Sequence, residues 1–272
     1  MSKTKIEWCD EVWNPTTGCT KLSEGCVNCY AERMSSRLRG RCGYRGDHPF
    51  LPAEWPDRLE IPFKWKKPRR IFVNSMGDLF HGFISNKFIA DVFGIMHSLE
   101  RHTFLILTKR PKSMKSWFEW MTDGTMMNPA SFFKNVWIGV SVENQEMAEQ
   151  RIPPLLQIPA AKRFVSCEPL LGPVSLHAIH DAIWRDTNED DYYDSLRGDL
   201  FWDDGEEGIG GGPKLDWVIC GAETGPRKRP MNLDWARNLR DQCKTSGTPF
   251  FFKKDSAGER YIDGETFEEF PI

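Results

Sequence analysis

Three of the eight cysteines stand close together, and thiolates are strong metal ligands. Cys19, Cys26 and Cys29 form a C-x6-C-x2-C array in a loop rich in Gly, Thr and Ser, just ahead of an expected helix over Tyr30–Leu38. Three thiolates on one flexible loop suit three corners of an iron–sulfur cluster, which cysteine sulfur binds. A fourth iron would then be left open for a substrate or cosubstrate. Zinc is the rival reading, but a structural zinc takes four ligands, usually in paired short spacings. No second C-x2-C pair is present, so its fourth ligand would have to be Cys9, Cys42 or His48. A third reading leaves the three as reduced structural thiols. Cys9, Cys42, Cys167, Cys220 and Cys243 are scattered.

A second group of residues is defined by position. Short apolar runs recur at Ile71–Val73, Thr103–Leu107, Val136–Val140, Arg163–Val165, Trp217–Ile219 and Pro249–Phe252. Each is too short for a helix and reads as a buried strand. Polar residues follow each of the first five runs: Asn74-Ser75-Met76-Gly77-Asp78, Thr108-Lys109-Arg110, Ser141-Val142-Glu143-Asn144, Ser166-Cys167-Glu168 and Cys220-Gly221-Ala222-Glu223. In a parallel βα barrel the C-terminal strand ends share the face that carries the active site. Asp78, Lys109, Glu143, Glu168 and Glu223 are therefore expected to converge. The opposing consideration is that loops are polar anyway, because they lie at the surface.

The elements that would position these residues have a βα rhythm. Helical patterns lie between the runs, over Asn86–Leu99 and over Asn232–Ser246 with Gly247 as the stop. The runs start roughly 25–35 residues apart, except for one gap of just over 50 that holds an acidic, Gly-rich segment at 181–212. The expected fold is α/β: a partial or small parallel (βα) barrel of six to seven units, in a single domain over residues 1–272 with that segment as an insertion. A doubly wound open sheet is the alternative. The insertion's aromatic residues (Trp184, Tyr192, Tyr193, Phe201, Trp202) suggest packing as a lid or partner surface; a solvated loop is the plainer reading.

Composition bounds the classes. The chain has 272 residues, 40% hydrophobic, 28% charged and 12% aromatic, as expected of a folded soluble protein. No apolar run approaches the roughly 20 residues of a membrane span, and the N-terminus does not read as a secretory signal. A cytoplasmic location is expected, where disulfides are rare. From Asp181 to Glu207 there are 11 acidic and 2 basic residues, so the net charge of −3 leaves the remainder at +6. Basic clusters at Lys64–Arg70, Lys109–Lys115 and Arg227–Arg229 could attract phosphate. If the substrate is a polynucleotide, Arg110, Lys112, Lys115, Arg227, Lys228 and Arg229 should contact it.

The three-cysteine loop, placed after the first strand of a parallel barrel, resembles the radical S-adenosylmethionine (SAM) superfamily. The segments WNPTTGCTKLSEGCVNCYAERM, FVNSMGDLFH, LTKRP, VWIGVSVENQ, RFVSCEPLLGP, DWVICGAETGP and PFFFK, running from about Trp13 to Lys253, resemble a phage- and prophage-associated radical-SAM-like family. Two departures stand out: the commonest first spacing in the superfamily is three residues, not six, and Asn28 occupies a position that is commonly aromatic. The resemblance implies a 4Fe-4S cluster on Cys19, Cys26 and Cys29, with S-adenosyl-L-methionine as cosubstrate cleaved to a 5′-deoxyadenosyl radical. It implies that Ser75, Gly77 and Asp78 meet the SAM amino group and that Lys109 or Arg110 meets its carboxylate. Ser141, Glu143, Asn144 and Glu168 would meet the ribose and adenine, and Glu223 would join the catalytic face. The implied partners are a nucleic acid or nucleotide and an electron donor such as flavodoxin or ferredoxin, in the host cytoplasm if the protein is phage-encoded. The implied chemistry is modification of a base, such as an isomerase step in thymidine or DNA hypermodification that evades host restriction. Two alternatives are a non-catalytic nucleic-acid-binding protein with a structural zinc or iron–sulfur site, and a DNA-lesion lyase of the photoproduct-repair kind. In the lyase, Cys167 or Cys220 would supply hydrogen.

Overall fold

A computed structural model describes residues 4, 6–180, 192–201 and 210–272. All six apolar runs are strands. A seventh, three-residue strand precedes them; it is too short to stand out in the apolar pattern, and only the resemblance places a strand before Cys19. The strands are β1 (Glu11–Trp13), β2 (Arg70–Val73), β3 (Thr103–Thr108), β4 (Val136–Ser141), β5 (Lys162–Cys167), β6 (Trp217–Cys220) and β7 (Phe250–Phe252). The main helices are α1 (Tyr30–Arg37), α2 (Asn86–Ser98), α3 (Pro111–Thr122), α4 (Gln145–Leu156) and α5 (Leu233–Ser246).

The sheet order is the chain order, β1 through β7. Its registers are parallel between β1 and β2, β2 and β3, β5 and β6, and β6 and β7. A doubly wound sheet reverses its strand order at a switch point. No reversal occurs here, so that alternative is corrected: this is an α/β fold with a seven-stranded parallel sheet of the partial βα-barrel type.

The chain divides into two compact units, residues 1–138 with 159–161, and residues 139–158 with 162–272. In the first, Trp13 is fully buried and its ring centroid lies 6.0 Å from that of Phe104. Phe93 of α2 stacks on Trp117 of α3 at 4.4 Å, which clamps both helices. Such aromatic pairs contribute about 0.5–1.5 kcal/mol beyond area burial. Ser85 caps α2, its hydroxyl accepting from Phe88 N at 3.2 Å.

In the second unit, Phe164 and Trp217 pack at 5.7 Å, and a Cβ on Gly139 would come within 2.7 Å of the Phe164 ring. Gly247 ends α5 in the left-handed conformation at φ 70°, where the sequence expects the stop. Two strands of the acidic segment, Tyr192–Asp194 and Asp199–Phe201, form an antiparallel sheet with Ile179–His180 just ahead of it. Tyr193 is buried and donates to Pro213 O at 2.7 Å, and Tyr192 stacks on Phe201. Trp184 and Trp202 lie outside the described residues. Among the described residues, no helix is long and apolar enough to cross a membrane.

Candidate active site

The cysteine loop is held by backbone-to-backbone packing against the loop after β2. Gly18 N donates to Met76 O at 2.9 Å, and Gly18 pairs with Gly77 in a parallel bridge. The approach leaves no room for side chains: a Cβ on Gly18 would sit 2.3 Å from Leu51 O, and one on Gly77 would sit 2.9 Å from Gly18 O. Gly18 also has φ 84°, a region that favours glycine. Asn14 Oδ1 accepts from Met76 N at 3.0 Å and from the Ser75 hydroxyl at 3.3 Å. Asn74, at φ 64° and buried, exchanges hydrogen bonds with Thr16: its Oδ1 accepts from Thr16 N, and its Nδ2 donates to Thr16 Oγ1 at 2.6 Å. Polar side chains thus stitch the first two loops together.

Asp78 is the hub beneath this loop. It is buried; Oδ1 accepts from Phe80 N and from the Thr108 hydroxyl at 2.7 Å, and Oδ2 accepts from Lys109 N at 3.1 Å. Arg110 Nε lies 3.8 Å from Asp78 Oδ2, which is an ion pair beyond hydrogen-bond reach. Arg110 Nη2 donates to Thr20 Oγ1 at 2.9 Å and Thr20 O at 3.2 Å, and reaches Cys19 Sγ at 3.8 Å. The Arg110 Nε–H is buried and has no acceptor. His81 completes the group. Its Nδ1 accepts from Phe83 N, so its Nε2 carries the proton and donates to Thr20 Oγ1 at 3.0 Å. Burial, then the Arg110 charge, hold His81 below its ordinary pKa.

All three array cysteines are free thiols of intermediate exposure. Burial raises the Cys19 pKa, with the Asp78 charge adding, while the hydrogen bond and charge of Arg110 oppose the rise. Burial also raises Cys29, against backbone N–H groups of Glu32 and Ala31. Cys26 acts electrostatically on both. Among the described residues, no three His, Cys, Asp or Glu side chains are gathered into a group that could hold a metal ion. The donor chemistry of the loop fits a three-thiolate cluster: three thiols of one loop, the middle one within electrostatic reach of the others, and a guanidinium beside Cys19. Of the residues the zinc reading needs, Cys9 is buried with its thiol toward Ile6 O, and Cys42 and His48 are exposed.

In the second unit, each acid expected at a strand end has a basic partner. Glu143 is fully buried and accepts from Arg151 Nη1 at 2.7 Å, and the same nitrogen donates to Ser141 O at 2.8 Å. Asn144 Oδ1 caps α4 by accepting from Met147 N. Lys253 Nζ donates to both Glu168 oxygens, at 2.6 and 2.7 Å, in space that a side chain on Gly221 would crowd: a Cβ there would lie 3.2 Å from Lys253 Cβ. Glu223 accepts from Arg229 N at 2.7 Å and from its Nε at 3.1 Å. Cys167 and Cys220 pair in register across β5 and β6, and both are fully buried. Burial, with the Glu143 charge, pushes Cys167 up to about 12, and burial pushes Cys220 well up.

Sequence reasoning missed Asn14, Thr20, His81, Arg151 and Lys253. Lys253 alone carries a signal, since it directly follows the last strand as the other polar residues follow theirs.

A seven-stranded parallel sheet with a three-thiol loop after its first strand defines an α/β protein of the partial βα-barrel class. Residues 3–271 match the model of the family described as Protein of unknown function (DUF5131), and the chain belongs to that family. No curated protein matches. Among solved structures, the chain is similar to a mutant of spore photoproduct lyase, with 11% identity and a TM-score of 0.47, over 92% of this chain and 78% of that one.

Proposed function

We propose that this chain is a radical SAM enzyme that holds a 4Fe-4S cluster on Cys19, Cys26 and Cys29 and modifies a nucleic-acid base or nucleotide. The observation that carries the reading is the part-buried three-thiol loop, pinned by glycine contacts and flanked by a guanidinium whose Nε–H has no acceptor. The cluster would supply the electron that cleaves SAM to methionine and a 5′-deoxyadenosyl radical, and the protein's part is binding, orientation and exclusion of side reactions.

Arg110 is suited to a carboxylate: its Nη2 is fixed by Thr20, its Nε–H needs an acceptor, and its charge is already set beside Cys19. Asp78 spends three of its roughly four acceptor positions on the protein and offers the remaining one to an ammonium group. Neutral His81 holds Thr20, which holds Arg110. Ser75, bonded to Asn14, and Gly77, paired with Gly18, fix the backbone that leads into Asp78. In the second unit, Glu143 is fully buried against Arg151 and Asn144 caps α4, so both serve the fold there, while Glu168 and Glu223 are held by Lys253 and Arg229. The reaction fits an isomerase step in thymidine or DNA hypermodification.

The test is anaerobic reconstitution with iron and sulfide, then measurement of 5′-deoxyadenosine released from SAM. The expected protein is brown, has a reduced-cluster electron paramagnetic resonance signal and releases deoxyadenosine. Alanine at Cys19, Cys26 or Cys29 should abolish the signal, and alanine at Cys243 should not. Stoichiometric zinc with no iron uptake would defeat the proposal.

A further inference from the structure

Each basic cluster that stands out in the sequence is partly neutralised in the fold. Arg69 pairs with Glu11 and Arg70 with Asp10; Lys115 pairs with Glu119; Arg229 is held by Glu223. Arg110 is turned inward, onto Asp78 and Thr20. Elsewhere Arg237 and Arg240 share Asp263, and Lys134 meets Glu100.

The segment after the cysteine loop is different. From Arg33 to Gly46 it carries five arginines, no lysine and no acidic residue. Arg37, Arg39, Arg41 and Arg45 are exposed, and none of the ion pairs among the described residues involves them. The segment is anchored from beneath. Tyr44 is buried with Ala31 and Met76 in a small core that Cys29, Met34, Leu38 and Phe50 complete. Arg58 Nη2 donates to Cys42 O at 2.8 Å. Gly43, at φ 85°, lies where a Cβ would come within 2.5 Å of the Trp55 ring, and Trp55 Nε1 donates to Thr17 Oγ1 in the cysteine loop. The arginines therefore stand on backbone fixed to the loop that carries the three thiols.

We infer that Arg37, Arg39, Arg41 and Arg45 form a docking ridge for the sugar–phosphate backbone of a nucleic acid. The inference rests on the reading of the preceding subsection and specifies its partner as a polymer. Arg37, Arg39 and Arg41, with no ion-pair partner among the described residues, and Arg45, beside Asp47, supply the charge-assisted, forked donors that phosphate oxygens accept. The exposed residues of this ridge are Arg, Ser, Gly and Cys, with no large apolar side chain among them. An interface with an acidic protein needs an apolar centre, whereas nucleic-acid interfaces are more polar and far more positively charged.

The test uses the full chain with Arg37→Glu, Arg39→Glu and Arg41→Glu combined, and a fluorescent DNA oligonucleotide, single-stranded and duplex, titrated across salt. Wild type should bind at low salt and weaken steeply as salt rises. The variant should bind at least tenfold more weakly. Its slope of log affinity against log salt should be shallower by about 2–3, because each lost phosphate contact removes about 0.7–0.9. Lys134→Glu should leave the slope unchanged. If the triple Glu variant does not fold, the triple Gln variant removes the same charges and should shift the slope the same way. A variant with the wild-type slope, a wild type that does not bind, or poly-glutamate bound as tightly as DNA would each overturn the inference. Binding is measured on protein without iron, so its loss speaks against the ridge alone. Absence of deoxyadenosine release with binding intact speaks against the radical reading alone.

Discussion

Asp78 shows how much a single carboxylate organises here. It ties the loop after β2 to the loop after β3 and orients the arginine that meets Cys19. Asp78→Asn keeps one acceptor oxygen but turns an amide –NH2 toward a backbone N–H or a hydroxyl that needs an acceptor. Leaving a buried donor unpaired costs about 1–3 kcal/mol. Urea denaturation of the iron-free protein should show a loss in that range, and Thr108→Val, which removes both the bond to Asp78 and the acceptor of Arg110 N, should show a loss of similar size. Asp78, Lys109 and Arg110 were legible in the sequence because each lies in the polar stretch that follows a strand. His81 and Thr20 were not, because their meeting depends on how two loops fold over each other. The pairing of Glu143 with Arg151 is likewise set by one helical turn of α4 lying over the end of β4, which no spacing rule singles out.

At the scale of elements, the apolar runs marked six of the seven sheet strands, and the expected helices over 86–99 and 232–246 differ from α2 and α5 by a residue at one end. Strand β1 escaped because three residues are too few to show a period. The glycine contacts escaped because close approach is a property of two segments at once. They separate two kinds of glycine by experiment. Gly247→Ala meets no atom within 4 Å and should cost only about 1–2 kcal/mol, for its positive φ. Gly18→Ala meets the same φ cost and a backbone carbonyl at 2.3 Å, so it should destabilise the protein well beyond that and expose residues 42–52 to limited proteolysis. A pH effect belongs to the turn before β3. His102 is buried, its Nε2 donates to Trp65 O at 3.0 Å, and burial, then the Arg101 charge, hold its pKa below the usual 6.5. The unfolded chain therefore takes up a proton that the folded chain refuses. This stability is complete above about pH 6.5 and is lost as pH falls from there through the depressed folded value. His102→Gln should show a shallower loss of stability between about pH 7 and pH 5 in denaturant titrations.

Across the whole molecule the eight thiols sort by environment, and that sorting can be read directly. Cys9, Cys167, Cys220 and Cys243 are buried, Cys42 is exposed, and the array cysteines lie between. In the native iron-free protein, maleimide labelling followed by mass spectrometry should modify Cys42 first, then the array, and the buried four only on unfolding. Loading with iron and sulfide should protect Cys19, Cys26 and Cys29 and leave Cys42 reactive. A native protein that labels Cys167 or Cys220 as fast as Cys42 would contradict the burial described here. The sheet's parallel βα character was readable from the recurrence of runs and loops, and its strand order became certain only from the pairings themselves.

The glycine bridge between Gly18 and Gly77 also bears on how this loop could be re-engineered. It fixes the chain just before the first thiol, and α1 fixes it just after the third, so the six residues between Cys19 and Cys26 span two anchored ends without having to set their positions. Closure of a flexible loop changes by only about 0.6 kcal/mol for each twofold change in length. Spacer length is thus a nearly neutral variable beyond Thr20, which holds Arg110 and meets His81. A chain trimmed to three residues between those thiols, Thr20 among them, should fold about as stably as the natural one, and a library varying the other spacer positions would sample thiol environments on an unchanged frame.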